Sequence, residues 1–407
     1  MSKTPSHSWA FRSRFRRHAF GWKSQPAIQR IREAVTEIKR VARKDKVLAA
    51  EGAVLFLERL SPAIEQVDSS SDAIGTAVNK AIVDLAAVFA AAPVDNATRQ
   101  LWLERLWHAC QDDEIPYLER LGDHWGELCV SPALAAHWAD ELLSTCKLAW
   151  SPDPALRGFF KGTTHCLSAL LAAQRYDDLL DLLAIAPYDL WHCRQFGVQA
   201  LAALGRKSEA IRYAEAGEGV YDSPGAVAQT CEAILLSSGL VDEAYRRYGL
   251  LANRAATYVA WYRAVAKKYP HIPPAKILDD LVSSTPGQEG KWFAAAKQAG
   301  LFDEAIALAQ RSPCAPQTLA RAARDFAEQN PPFALEAGVA ALHWLVEGYG
   351  YDVTAGDVLD AYTHTLAAAE RLGCAETTRQ RIRDLVATET GGERFVTRVL
   401  SHHLGLA

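Results

Sequence analysis

A six-residue phrase recurs along this chain and narrows the folds open to it. Gly239-Leu240-Val241-Asp242-Glu243-Ala244 returns as Gly300-Leu301-Phe302-Asp303-Glu304-Ala305, with looser copies at Arg175-Tyr176-Asp177-Asp178-Leu179 and Gly205-Arg206-Lys207-Ser208-Glu209-Ala210. Each part has a physical reason. Glycine closes one helix in the left-handed conformation, the apolar residue after it packs back on that end, and the acidic pair falls in the first turn of the next helix, where the helix dipole favours negative charge. Setting Leu179, Ala210, Ala244, Ala275, Ala305 and Ala334 in equivalent places gives steps of 31, 34, 31, 30 and 29 residues. That period suits helix hairpins packed one on the next.

One full unit reads as a helix from Pro224 to Ser238, with Ala228, Cys231, Ile234 and Leu235 on its apolar stripe, and a second from Val241 to about Leu251, with Ala244, Tyr248 and Leu251 facing inward. Neither helix can bury its stripe alone. With the small residue before the turn, Asp-Glu-Ala opening the second helix and an aromatic four positions on, residues 159–388 resemble the tetratricopeptide-repeat superfamily. Ala214 and Ala309 stand where Tyr248 supplies the aromatic. The whole chain also resembles uncharacterised bacterial proteins. The superfamily resemblance implies an all-α fold, a right-handed α-solenoid of stacked helix hairpins. It also implies a non-enzymatic scaffold or adaptor that binds a protein partner.

Composition supports the helical reading independently. Alanine and leucine dominate the 407 residues, Gly and Pro sit mainly at boundaries, and no alternating β-branched run persists. The expected organisation is a basic arm over 1–25, an irregular helical layer over 26–150 and the repeats over 151–407. Pro26 opens a helix with Ile28, Ile31, Val35, Ile38 and Ala42 on one stripe, and further helices are expected at about 47–60, 72–92, 96–110, 115–129 and 132–149. Ser151-Pro152-Asp153-Pro154 is the best internal boundary, because each proline blocks helix continuation. Eight cysteines are scattered singly and read as reduced core residues. No uncharged apolar run reaches 18 residues, the Ala-rich stretch from Leu85 to Pro93 being too short to span a bilayer. The expectation is a cytoplasmic protein without a membrane partner.

Charge is uneven. Residues 1–46 hold thirteen Lys or Arg against Glu33, Glu37 and Asp45, a net of +10, while the remainder carries 31 basic and 45 acidic residues, or −14. Arg12, Arg14, Arg16 and Arg17, interleaved with Phe11, Phe15 and Trp22, are candidates for binding nucleic acid or another anion. Folding back on the chain's own acidic body is the competing reading. Within the repeats, Tyr258, Trp261, Tyr262 and Trp292 are the candidate anchors for a protein partner, provided they are exposed. His108, Asp112, Asp113, Asp123, His124 and Glu127 lack a metal-site spacing, so a hydrolase or metal-dependent enzyme with its site in the loops near His108 and His124 is the third and least favoured reading, and His165-Cys166 and His192-Cys193 read as core packing. No nucleotide, hydrolase or metalloprotease motif occurs, so no cofactor, metal or catalytic residue is assigned. Sequence leaves the oligomeric state open.

Overall fold

The computed structural model describes residues 7–217, 223–390 and 394–406. Its described residues are helical with no strand, so the fold is all-α. Two compact units divide the chain, Met1–Ser223 and Pro224–Ala407. The break falls at Ser223/Pro224 rather than at the proline-rich stretch 151–154. That stretch is an internal loop of the first unit, because the helices on either side of it, Pro132–Ala149 and Thr163–Ala172, pack against each other.

The first unit opens with four long helices, Ser24–Ala42, Lys46–Ile64, Ala73–Ala90 and Asn96–Gln111. Side-chain caps from Asp45 and Asp95 start the second and fourth, each accepting from a first-turn amide. Buried Arg99 donates to the carbonyls of Phe89, Ala92 and Leu128, satisfying the end of the third. Ala73–Ala90 is, among the described residues, the one helix long and apolar enough to cross a membrane. It packs against the first two helices and buries Ile74, Val78, Ile82 and Leu85.

The basic segment over 7–23 folds back onto the first unit as a strap. Trp9, Phe11 and Phe15 are buried, and the rings of Phe11 and Phe15 stand edge-on to Phe56 at 5.4 and 5.0 Å. Glu37 accepts from the amides of Ala10 and Phe11, and Arg59 donates to the carbonyls of Arg12 and Phe15. Lys3 lies outside the described residues.

Paired helices follow in both units. In the first, Tyr176–Ala184 packs on Thr163–Ala172 and Lys207–Glu215 on Trp191–Ala203. In the second, Pro274–Ser283 packs on Tyr258–Lys268, Phe302–Arg311 on Phe293–Gln298, Pro331–Val346 on Pro316–Phe326 and Ala375–Ala387 on Ala355–Arg371. The recurring glycine does what its chemistry requires: Gly205, Gly239 and Gly300 all have φ between 74° and 77°. At Gly239 the amide reaches the carbonyl of Leu236 and the next amide that of Leu235, the paired bonds of a Schellman ending. Leu179, Ala210, Ala244, Ala305 and Ala334 are fully buried.

Two details of the repeat register differ from the sequence reading. Ala275 is exposed, and Ile277, three residues into its helix as Ala244 is into its own, is buried instead. In the helical run from Val241 to Ala252, residues Tyr245–Gly249 form a π turn. The π turn adds one residue to the local register, so Ala252 faces inward and Leu251 is exposed.

Candidate functional site: an aromatic-lipped cavity in the first unit

Three of the four aromatic anchors expected in the second unit, Trp261, Tyr262 and Trp292, are core. Trp292 is 0 % exposed, with its Nε1 donating to Thr285 Oγ1 at 2.8 Å, and Trp261 and Tyr262 are buried too. Trp261 Nε1 donates to the Leu250 carbonyl at 2.8 Å, and half-buried Tyr258 packs edge-on to Trp292 at 4.8 Å. These rings pack between neighbouring helices, and both indole N–H groups are satisfied internally. Trp261, Tyr262 and Trp292 present no surface for a partner, and Tyr258 keeps part of its ring in solvent.

Arg12, Arg14, Arg16 and Arg17 are all exposed on the strap. Arg14 pairs with Glu33 at 2.8 Å, which draws part of the basic segment onto its own unit. The interleaved rings do not accompany the arginines outward: Phe11 and Phe15 are buried and only Trp22 is exposed, so no stacking platform is formed. Among the described residues no three of the acid and imidazole groups near residue 110 are grouped to hold a metal, although Asp123, His124 and Glu127 line one surface pocket. Asp123 pairs with Arg120, His124 with Glu127, and buried Asp113 accepts from Ser61 Oγ and from the Leu118 amide.

What the fold does assemble is a cavity of about 570 Å³ in the first unit. Its walls come from three stretches far apart in sequence: residues 110–119, the loop 150–165, and 187–193. Phe159 and Tyr188 stand at its wall with 85 % and 68 % of their surfaces in solvent. Lys161 anchors the loop by donating to the carbonyls of Gln111 and Asp113 at 2.8 and 2.6 Å. Arg157 holds its other end through the carbonyls of Ser151 and Pro152.

His165 also lines the cavity, 1 % exposed, from the first turn of Thr163–Ala172. Trp107 and Trp125 meet its ring edge-on at 5.1 and 4.7 Å. Gly122 makes this possible, since a Cβ there would fall 2.7 Å from Nδ1. Neither ring nitrogen has a hydrogen-bond partner. Burial pushes the imidazole down to about 3, opposed by the nearby Lys161 backbone, which is not in hydrogen-bonding geometry. The ring is therefore neutral at physiological pH, with one unused donor and one unused acceptor.

Two thiols line the same cavity, Cys110 and Cys193, and burial pushes both up to about 12. A thiol so raised is not a nucleophile near neutral pH. Asp113 is held above the usual carboxylate range by burial, against the hydrogen bonds from Ser61 and Leu118. Glu114 and Glu119 are exposed on the wall, and neither makes a hydrogen bond or ion pair among the described residues.

Sequence reading placed His165 in the core and attached no function to it, and it passed over Phe159, Tyr188, Glu114 and Glu119. Pairing His192 with Cys193 as core was half right: Cys193 is buried and His192 is exposed on the cavity wall. The available signal was the dipeptide Phe159-Phe160 inside a Pro- and Gly-bearing loop, a place where apolar bulk has no helical stripe to join. No known family and no curated protein matches the chain.

Proposed function

We propose that the chain is a non-enzymatic helical-repeat scaffold, its hairpins stacked as an α-solenoid of the tetratricopeptide kind, and that it binds a protein partner at the cavity of the first unit. The observation that carries this reading is the pair of solvent-facing rings, Phe159 and Tyr188, beside a 570 Å³ cavity. Aromatic anchors at a concave site are what partner recognition uses. The repeated left-handed helix endings, Gly205 in the first unit and Gly239 and Gly300 in the second, support the repeat architecture. Thiols raised to about 12 in the cavity favour binding over covalent catalysis. Seven buried cysteines suit a reducing, cytoplasmic setting.

Both rings are exposed, so truncating them separates binding from folding. Partner capture from the native source by Phe159→Ala and Tyr188→Ala should fall by about 1 to 3 kcal/mol in affinity per ring, with urea midpoints unchanged. Retained capture by the double variant would remove the cavity from consideration.

A second reading rests on a different observation. The side chains of Arg12, Arg16 and Arg17 are exposed and make no hydrogen bond or ion pair among the described residues, while the backbone beneath them is fixed by Arg59 and Glu37. A fixed row of cations suits nucleic-acid phosphate. Fluorescence anisotropy with mixed-sequence DNA and RNA at low and near-physiological salt decides it, with Arg12→Ser, Arg16→Ser and Arg17→Ser combined as the control.

A further inference from the structure

We infer that the cavity of the first unit selects a protonated amine carried on an apolar stem. This rests on the reading of the cavity as the binding site and adds the chemistry of what enters it. Three observations converge. First, the wall is aromatic: Trp150, Phe159, Phe160 and Tyr188 all line it. Stacked or edge-on rings attract cations through their faces while burying the carbon stem that bears the charge.

Second, the hydrogen-bonding groups of the wall are one-sided. The cationic side chains already donate to protein carbonyls, Lys161 to Gln111 and Asp113 and Arg157 to Ser151 and Pro152. The carboxylates of Glu114 and Glu119 are acceptors without a described partner. With Asp113 included, three carboxylates stand against two cations. An anionic ligand would meet donors that are partly engaged with protein carbonyls and a wall with more carboxylates than cations, whereas an ammonium supplies three donors to acceptors that lack them.

Third, His165 lines the cavity nine-tenths and more buried, with both ring nitrogens unpartnered. Buried polar atoms are nearly always hydrogen-bonded, and an exception calls for an explanation. A neutral imidazole at the wall adds no positive charge that would repel the ligand. A cation of this shape has two sources, a free amine or the side chain of a lysine on a partner protein.

Calorimetric titration of the full chain with n-hexylammonium, n-hexanol and hexanoate tests the chemistry, and the peptide acetyl-Leu-Lys-Leu-amide tests the source. Hexylammonium should bind at least about tenfold more tightly than hexanol, and hexanoate more weakly than either. The combined exposed-site variant Glu114→Gln, Glu119→Gln should bring hexylammonium down to the hexanol value and leave hexanol unchanged. Phe159→Ala should weaken both.

Equal affinity for hexylammonium and hexanol, tighter binding of hexanoate, failure of every probe to bind, or an unchanged hexylammonium affinity in the double variant would each overturn the inference. Peptide binding that is lost in the double variant assigns the source to a partner lysine and supports both readings. Binding of the free amine without the peptide keeps the inference and removes the protein partner, so the two readings fail separately.

Discussion

His165 shows how one side chain's surroundings set a property of the whole unit. In the unfolded chain its ring takes up a proton near pH 6.5, whereas in the fold the Trp107 and Trp125 cage keeps it neutral down to about 3. Between those values the unfolded chain binds the extra proton, so falling pH favours unfolding, by about 1.4 kcal/mol for each pH unit. The penalty begins as pH drops below 6.5 and is complete near 3. Urea melts at pH 7 and pH 5 should show a loss of about 2 kcal/mol that His165→Phe, which cannot take up a proton, does not share. Identical pH slopes for parent and variant would mean that the imidazole is already solvated or paired in the fold.

At the scale of elements, one of the left-handed helix endings is occupied by a residue other than glycine in a way that can be repaired. Gln174 occupies the left-handed closing position at φ 58°, and the bonds from its amide to Leu171 and from Arg175 to Leu170 match those around Gly239. A side chain with a Cβ is strained there by roughly 1 kcal/mol. Gln174→Gly should raise stability by about that amount, less what glycine's greater unfolded freedom takes back, read as a higher urea midpoint. No change or a fall would mean that the Gln174 side chain contributes contacts that offset its strain.

Such endings were legible because they are local: a glycine, an apolar residue and an acidic pair act within six positions. The π turn at Tyr245–Gly249 was not, since no glycine or proline pattern distinguishes it from an ordinary helix, and it displaced the inward face from Leu251 to Ala252. The burial of Trp261 and Trp292 was equally hidden. Helical spacing locates a ring on a face and does not say whether another hairpin covers it.

At the scale of the molecule, charge and packing disagree about the first 25 residues, and packing decides. A net of +10 over residues 1–46 read as an interaction arm, with folding back on the chain's own body as the competing reading, and Trp9, Phe11 and Phe15 are core residues of the first unit. Their partners, Phe56 and Arg59, lie more than 40 positions away, beyond the reach of any local pattern. The cavity escaped notice for the same reason, its walls being contributed by segments around residues 113, 160 and 190.

Removing residues 1–24 should therefore lower the stability of the first unit by several kcal/mol, each lost buried ring costing about 3 to 5. The triple Arg12→Ser, Arg16→Ser, Arg17→Ser variant should stay within about 0.5 kcal/mol of the parent. Thermal melts of the two proteins distinguish core strap from solvated arm. Equal melting temperatures for the truncated and full chains would restore the arm.

To trypsin, the stretch from Arg12 to Arg17 offers four cleavable bonds and little means of reaching them. A protease must thread extended backbone through its cleft, and here the chain is wound into a tight turn whose carbonyls Arg59 grips and whose rings are seated beneath it. Digestion at the most basic part of the sequence has to wait until the first unit opens. The appearance of peptides ending at Arg12 or Arg14 is then a clock for that opening, set by the molecule's own N-terminal residues.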